Sequence, residues 1–115
     1  MAEEELRNEI IEFQNMQQQM QLVSMQKQQI QVQLQEIERA SEELLKTQEK
    51  ATCYKLVGSV FIPKAPAALK KELADEKESL ELRKSGLLKQ EAKLSERFGV
   101  LRKKLEAAQK TQASG

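Results

Sequence analysis

The sequence contains no histidine, no tryptophan and only one cysteine, Cys53. A zinc site, a Ser-His-Asp triad and a Cys-His dyad each need histidine or several cysteines, so the chain cannot build any of them from its own residues. Cys53 has no intrachain disulfide partner, and we interpret it as a small buried hydrophobic residue of a cytosolic protein. These absences argue against an enzyme, and we expect neither a metal nor another cofactor.

Aromatic residues, glycine and proline are also scarce. Only 3% of the 115 residues are aromatic, and there are four glycines and two prolines, whereas 32% are charged. A globule of this size normally closes around several large aromatic side chains, and a sandwich or barrel needs many turns. The composition is therefore typical of long helices and predicts a mainly α fold.

No apolar run approaches the roughly 20 residues needed to cross a bilayer. The most apolar stretch, residues 56–63, is interrupted by Gly58 and Ser59. The N-terminus carries Glu3, Glu4 and Glu5, where an export signal needs positive charge followed by an apolar segment. We therefore expect a cytoplasmic protein with no membrane partner.

Heptad columns dominate both halves of the chain. In the N-terminal half two columns are mostly apolar: Phe13, Met20, Lys27, Leu34, Ser41 and Met16, Val23, Ile30, Ile37, Leu44. The C-terminal half has a leucine column: Leu73, Leu80, Leu87, Leu94, Leu101, Ala108. Such spacing indicates a coiled coil, and its regularity argues against the alternative of a disordered glutamine-rich tract. We predict helices over about residues 3–49 and 66–111, with a flexible tail at 112–115.

The segment between the helices is rich in β-branched and aromatic residues and predicts a β-hairpin over about residues 52–63. Gly58 and Ser59 suit a two-residue type II′ turn, which places Val57 opposite Val60. Two strands cannot bury apolar side chains on both of their faces, even if the helix ends cover one face. We therefore predict that the hairpin assembles with other chains through Tyr54, Leu56, Val57, Val60, Phe61 and Ile62.

The pattern also predicts that the two helices fold back on each other as an antiparallel two-helix coiled coil. The apolar columns are mirror-symmetric about the Gly58–Ser59 turn, so that Met16 corresponds to Leu101 and Leu44 to Leu73. The N-terminal end is acidic and the C-terminal end is basic, and folding back brings these opposite charges together. Because the basic cluster at residues 102–104 then lies beside acidic residues, we expect no nucleic-acid partner.

The helix ends remote from the hairpin carry more apolar residues than one seam can cover. Ile10 and Ile11 are adjacent, for example, and cannot both face the same seam. One alternative is that these are scattered surface residues at a fraying end. The functional interpretation is a tip that binds apolar segments of client proteins, formed by Leu6, Ile10, Ile11, Phe13, Phe98, Leu101 and Leu105.

Over almost its full length, the sequence resembles prefoldin, most closely the archaeal β-type subunit. The segments that carry the resemblance are FQNMQQQ at 13–19, VSMQKQ at 23–28, YKLVGSVFI at 54–62, ELR at 81–83 and KQE at 89–91. The hairpin segment is the most specific of these, because heptad patterns are shared by many unrelated coiled coils. A single hairpin between the helices is the layout of β-type subunits.

The resemblance implies that residues 1–115 form a single prefoldin-like subunit of an ATP-independent holdase chaperone. It implies a cytoplasmic hexamer of two α-type and four β-type subunits, whose hairpins form inter-subunit β-barrels. The coiled-coil tips would hold unfolded client proteins and pass them to a group II chaperonin. The alternative is a structural coiled-coil tether or scaffold subunit, which, unlike a holdase, would not suppress aggregation of unrelated proteins.

Overall fold

The computed structural model describes residues 2–114 and consists of two long helices joined by a hairpin. Along the chain the elements are α1 (Glu3–Leu45), β1 (Cys53–Val57), β2 (Val60–Lys64) and α2 (Pro66–Ser114). This arrangement confirms the predicted fold class of two long helices connected by a short β-hairpin. Among the described helices, none is long and apolar enough to span a membrane.

The first helix ends four residues before the predicted boundary of about residue 49. Its last turn is closed by backbone bonds from Lys46 to the carbonyl of Glu43 and from Thr47 to the carbonyl of Leu44, both 3.2 Å long. The Thr47 hydroxyl also donates to the Glu43 carbonyl at 2.8 Å. These bonds satisfy carbonyls that another helical turn would have used, so the helix stops at Leu45.

The second helix begins with Pro66, whose fixed φ and missing N–H suit the first position of a helix. It continues to Ser114, so the tail predicted at residues 112–115 is helical as far as Ser114, and Gly115 lies outside the described residues. The sequence of this last segment contains no helix-breaking residue before Gly115, which accounts for the extension.

The hairpin is antiparallel and has the predicted register, with Val57 opposite Val60 and Leu56 opposite Phe61. Gly58 has a φ of 60°, and it is the only residue with positive φ in the described part of the chain. A type I′ turn would need positive φ at both central residues, so the geometry agrees with the predicted type II′ turn. The second strand extends to Lys64, one residue beyond the predicted end.

The chain divides into two compact units, which we describe separately. The first unit contains Met1–Gln28 and Ser85–Gly115, and the second contains Gln29–Lys84. Apart from Pro66 at the start of α2, every buried apolar side chain in the described residues belongs to a predicted heptad column. They are Met16, Val23, Leu94 and Leu101 in the first unit and Ile30, Ile37, Leu44 and Leu80 in the second.

In the first unit the two helices run antiparallel. The rings of Phe13 and Phe98 stack with centroids 4.6 Å apart, while Lys27 lies beside Glu91, so residues later in α1 meet residues earlier in α2. Lys27 interrupts a mostly apolar column of α1, and its ammonium donates to both carboxylate oxygens of Glu91 at 2.8 Å. Glu91 of α2 therefore pairs with the charge that interrupts this column.

Candidate functional site

The hairpin, in the second unit, exposes every apolar side chain proposed for assembly. Exposure ranges from 39% at Ile62 to 67% at Phe61. In the observed register, Tyr54, Leu56 and Phe61 share one face, and Val57, Val60 and Ile62 share the other. The chain therefore leaves apolar area uncovered on both faces of the ribbon.

Cys53 lies where β1 begins, and it is half-buried and unbonded to another cysteine. The sequence predicts a small buried hydrophobic residue here, and the structure shows one that is only half-buried. A two-stranded ribbon has no second layer to enclose this position, which explains the difference.

An open groove of about 370 Å³ lies between the hairpin and the adjoining helix ends. Its apolar walls come from Tyr54 and Leu56 of β1, Leu44 of α1, and Leu69 and Leu73 of α2. Leu44 and Leu73 are a pair that the mirror symmetry of the sequence brings together, and in the structure they line the same groove.

Glu72 of α2 contacts a lysine from each strand of the hairpin. Its Oε2 accepts a hydrogen bond from Lys55 Nζ at 3.0 Å, and its Oε1 accepts one from Lys64 Nζ. The bonds from Lys64 and Lys55 lower the pKa of the Glu72 carboxyl below its ordinary value, because they favour the charged form. Sequence reasoning missed this cluster, since lysines that alternate with apolar residues on a strand are typical of solvent-exposed positions.

The proposed client-binding residues, in the first unit, differ widely in exposure. Ile10 and Ile11 are exposed, at 40% and 53%, and the neighbouring Val100 is exposed as well. Four of the others are half-buried: Leu6, Phe13, Phe98 and Leu105. Leu101 is buried in the seam between the helices, so its side chain packs beneath the exposed residues and is not available to a partner.

A cavity of about 450 Å³ opens beside these residues. Met16, Leu101 and Val100 contribute apolar wall, and charged residues of both signs complete it: Glu9, Glu12, Lys93, Glu96, Arg97 and Lys104. Arg97 bonds Glu12 at 3.1 Å across the two helices, a contact between the opposite end charges that the sequence predicts. The combination of apolar floor and mixed-charge rim offers contacts to an extended peptide of varied sequence.

Some exposed apolar residues lie outside the predicted surfaces. Leu22 and Met25 are exposed in the first unit, and Leu82 is exposed in the second. They lie off the buried heptad columns. The uncharged segment between Glu12 and Lys27 is the sequence signal that could have found Leu22. In the described residues no three His, Cys, Asp or Glu side chains are grouped as a metal site requires.

Comparison with known proteins places this fold and sequence together in one family. The family model described as prefoldin subunit matches residues 7–112. The chain is 36% identical to the prefoldin subunit beta of Archaeoglobus fulgidus over 102 residues, which cover 89% of this chain and 88% of that relative. It is 34% identical to the prefoldin subunit beta of Thermococcus gammatolerans over 96% of this chain and 95% of the relative.

A solved structure agrees with the sequence comparison. The crystal structure of the prefoldin beta subunit from Thermococcus strain KS-1 superposes with a TM-score of 0.80 at 32% identity. The match covers 90% of this chain and 91% of that one. Because sequence and fold agree over nearly the whole length, the chain belongs to the prefoldin subunit family of chaperones.

Proposed function

We propose that the chain is a β-type subunit of a cytoplasmic, ATP-independent holdase. In this proposal the hairpin joins it to α-type prefoldin subunits and to further β-type copies, in a hexamer of two α-type and four β-type subunits. The tip residues hold unfolded client proteins and release them to a group II chaperonin. The observation that carries the proposal is the hairpin, whose apolar side chains are 39–67% exposed in the chain alone.

The exposed hairpin supports assembly for two reasons. Large apolar side chains on both faces gain free energy when a second surface covers them. The outer edges of a two-stranded ribbon also carry backbone N–H and C=O groups that another strand can pair with. Hairpins from neighbouring subunits meet both needs when they combine into a barrel, which has no free edge.

Features of the first unit favour the proposed binding of unfolded clients. Ile10, Ile11 and Val100 are exposed beside the cavity that Met16 lines. Methionine repacks easily against partners of different shape, which suits a surface that binds many sequences. Each contact is small, so several subunits acting on one client would supply the affinity while each contact still releases readily.

The proposal is tested by measuring mass and holdase activity on the same preparation. The full-length chain, alone and mixed with an archaeal α-type prefoldin subunit, is examined by native mass spectrometry and then added to several unrelated denatured proteins. We expect a hexamer in the mixture and reduced light scattering for every client without added ATP. A chain that stays monomeric and protects no client would refute the proposal and favour a tether.

A further inference from the structure

The hairpin is attached to the rest of the second unit by few constraints. Only Ala65 separates the end of β2 from the start of α2, and residues 46–52 connect α1 to β1. In the described part of the chain no hairpin side chain belongs to the buried core. Apolar packing therefore contributes little to fixing the direction in which the hairpin projects.

Glu72 supplies a constraint that involves both strands. Lys55 lies opposite Ile62, and Lys64 lies opposite Cys53, so the two lysines project from the same face of the ribbon. One carboxylate on α2 accepts a hydrogen bond from each of them. A contact to one strand alone would let the ribbon rotate about that point, whereas contacts to both strands oppose the rotation.

We propose that Glu72 is a positioning residue that holds the hairpin in the orientation from which it assembles with a neighbouring subunit. This inference rests on the proposed function, because it takes the hairpin as the assembly surface. Without Glu72 the helices and the hairpin still form, but the hairpin samples several orientations. Assembly then requires selection of one of them, and the apparent affinity falls in proportion to its population.

The charges around Glu72 identify a matched control. The groove beside it is also lined by Glu43 of α1 and by Glu76, which lies one turn further along α2. Glu43 is 3.8 Å from Lys46, while Lys55 and Lys64 both bond Glu72. Glu76→Gln therefore removes a carboxylate from the same groove without breaking the bridge between α2 and the strands.

Orientation is measured on the full-length chain with spin labels at Ser59→Cys in the turn and Ala74→Cys on α2, in a Cys53→Ser background. Both labelled positions are exposed and lie in the second unit. We expect double electron–electron resonance spectroscopy to give a narrow distribution of distances between the two labels for the parent and for Glu76→Gln. The distribution for Glu72→Gln should be broad. Circular dichroism checks that helicity is unchanged. A Glu72→Gln distribution as narrow as the parent's would overturn the inference.

Assembly with an α-type subunit provides the second measurement. If the released hairpin occupies the assembling orientation about one fifth of the time, Glu72→Gln raises the half-dissociation concentration about fivefold. Glu76→Gln should leave it unchanged, and equal effects of the two variants would overturn the inference.

Phe61→Ser separates this inference from the proposed function, because it should weaken assembly while the distance distribution stays narrow. If Phe61→Ser assembles normally, the proposed assembly surface is wrong, whereas the orienting role of Glu72 is judged by the distances alone.

Discussion

Phe61→Ser is the substitution that most directly tests the assembly surface. Phe61 is the most exposed large side chain of the hairpin, at 67%. Full burial of a phenylalanine side chain removes roughly 200 Å² from water. If a neighbouring subunit covers the two-thirds of Phe61 that is exposed, at about 25 cal/mol per Å², the side chain contributes about 3 kcal/mol to the free energy of association. Loss of that contribution corresponds to roughly a hundredfold weaker association.

Leu82→Ser is the matched control for this change. Leu82 is 70% exposed and lies in the same unit, but on α2 and not on the hairpin. The assay is analytical ultracentrifugation of each full-length variant with an α-type prefoldin subunit over a range of concentrations. We expect the half-dissociation concentration to rise about a hundredfold for Phe61→Ser and less than about twofold for Leu82→Ser. If the two variants assemble equally well, the reasoning from exposed apolar area to assembly is wrong.

Three further results are expected. Ile10→Ser with Ile11→Ser should reduce suppression of client aggregation, measured by light scattering, with normal helicity and oligomer mass, because both side chains are exposed. Met16→Cys with Leu101→Cys, in a background without other cysteines, should form a disulfide within one chain, measured by non-reducing electrophoresis, because both residues are buried in the seam between the antiparallel helices of the first unit. The spin-label distance distribution should stay narrow from neutral pH down to 4.5, the ordinary pKa of a glutamate carboxyl, and should broaden only below it. The reason is that the lysines lower the pKa of Glu72, whose charged carboxylate makes the contacts.

Controls for these experiments come from the same chain. Leu22→Ser changes an exposed leucine on α1 away from the proposed client-binding residues, and it should leave client protection normal. Crosslinks found only between different chains would contradict antiparallel pairing within the first unit. A Glu72→Gln distribution that is narrow at neutral pH and broadens in acid as the parent's does would show that another group controls the orientation.

The helices and the hairpin register could be predicted because several residues encode each of them. Five apolar residues form the buried column from Met16 to Leu44, so one unusual residue does not obscure its period. The turn depends on Gly58, and the flanking β-branched residues fix which positions lie opposite. The end of α1 could not be predicted as well, because the stop comes from the Thr47 hydroxyl and two backbone bonds instead of from glycine or proline.

Contacts between side chains from different elements were harder to predict, because they depend on the stagger of the helices. Mirror symmetry about the turn places Lys27 opposite Gln90, whereas the structure pairs it with Glu91. A heptad column specifies which face of a helix is buried, and it tolerates a shift of one residue in the partner helix. A hydrogen bond does not tolerate that shift. The same limitation applies to Glu72, whose partners lie on strands that the heptad pattern does not describe.

The two proposed surfaces differ in geometry, and this difference favours different kinds of partner. On the hairpin, hydrogen-bonded register fixes the positions of Tyr54, Leu56 and Phe61 relative to one another, so the surface suits a partner of fixed shape. In the first unit, Ile10 and Ile11 are adjacent on a helix and therefore project in different directions, beside an open cavity with a mixed-charge rim. A flexible, extended chain can contact each isoleucine in turn, which is the property expected of an unfolded client.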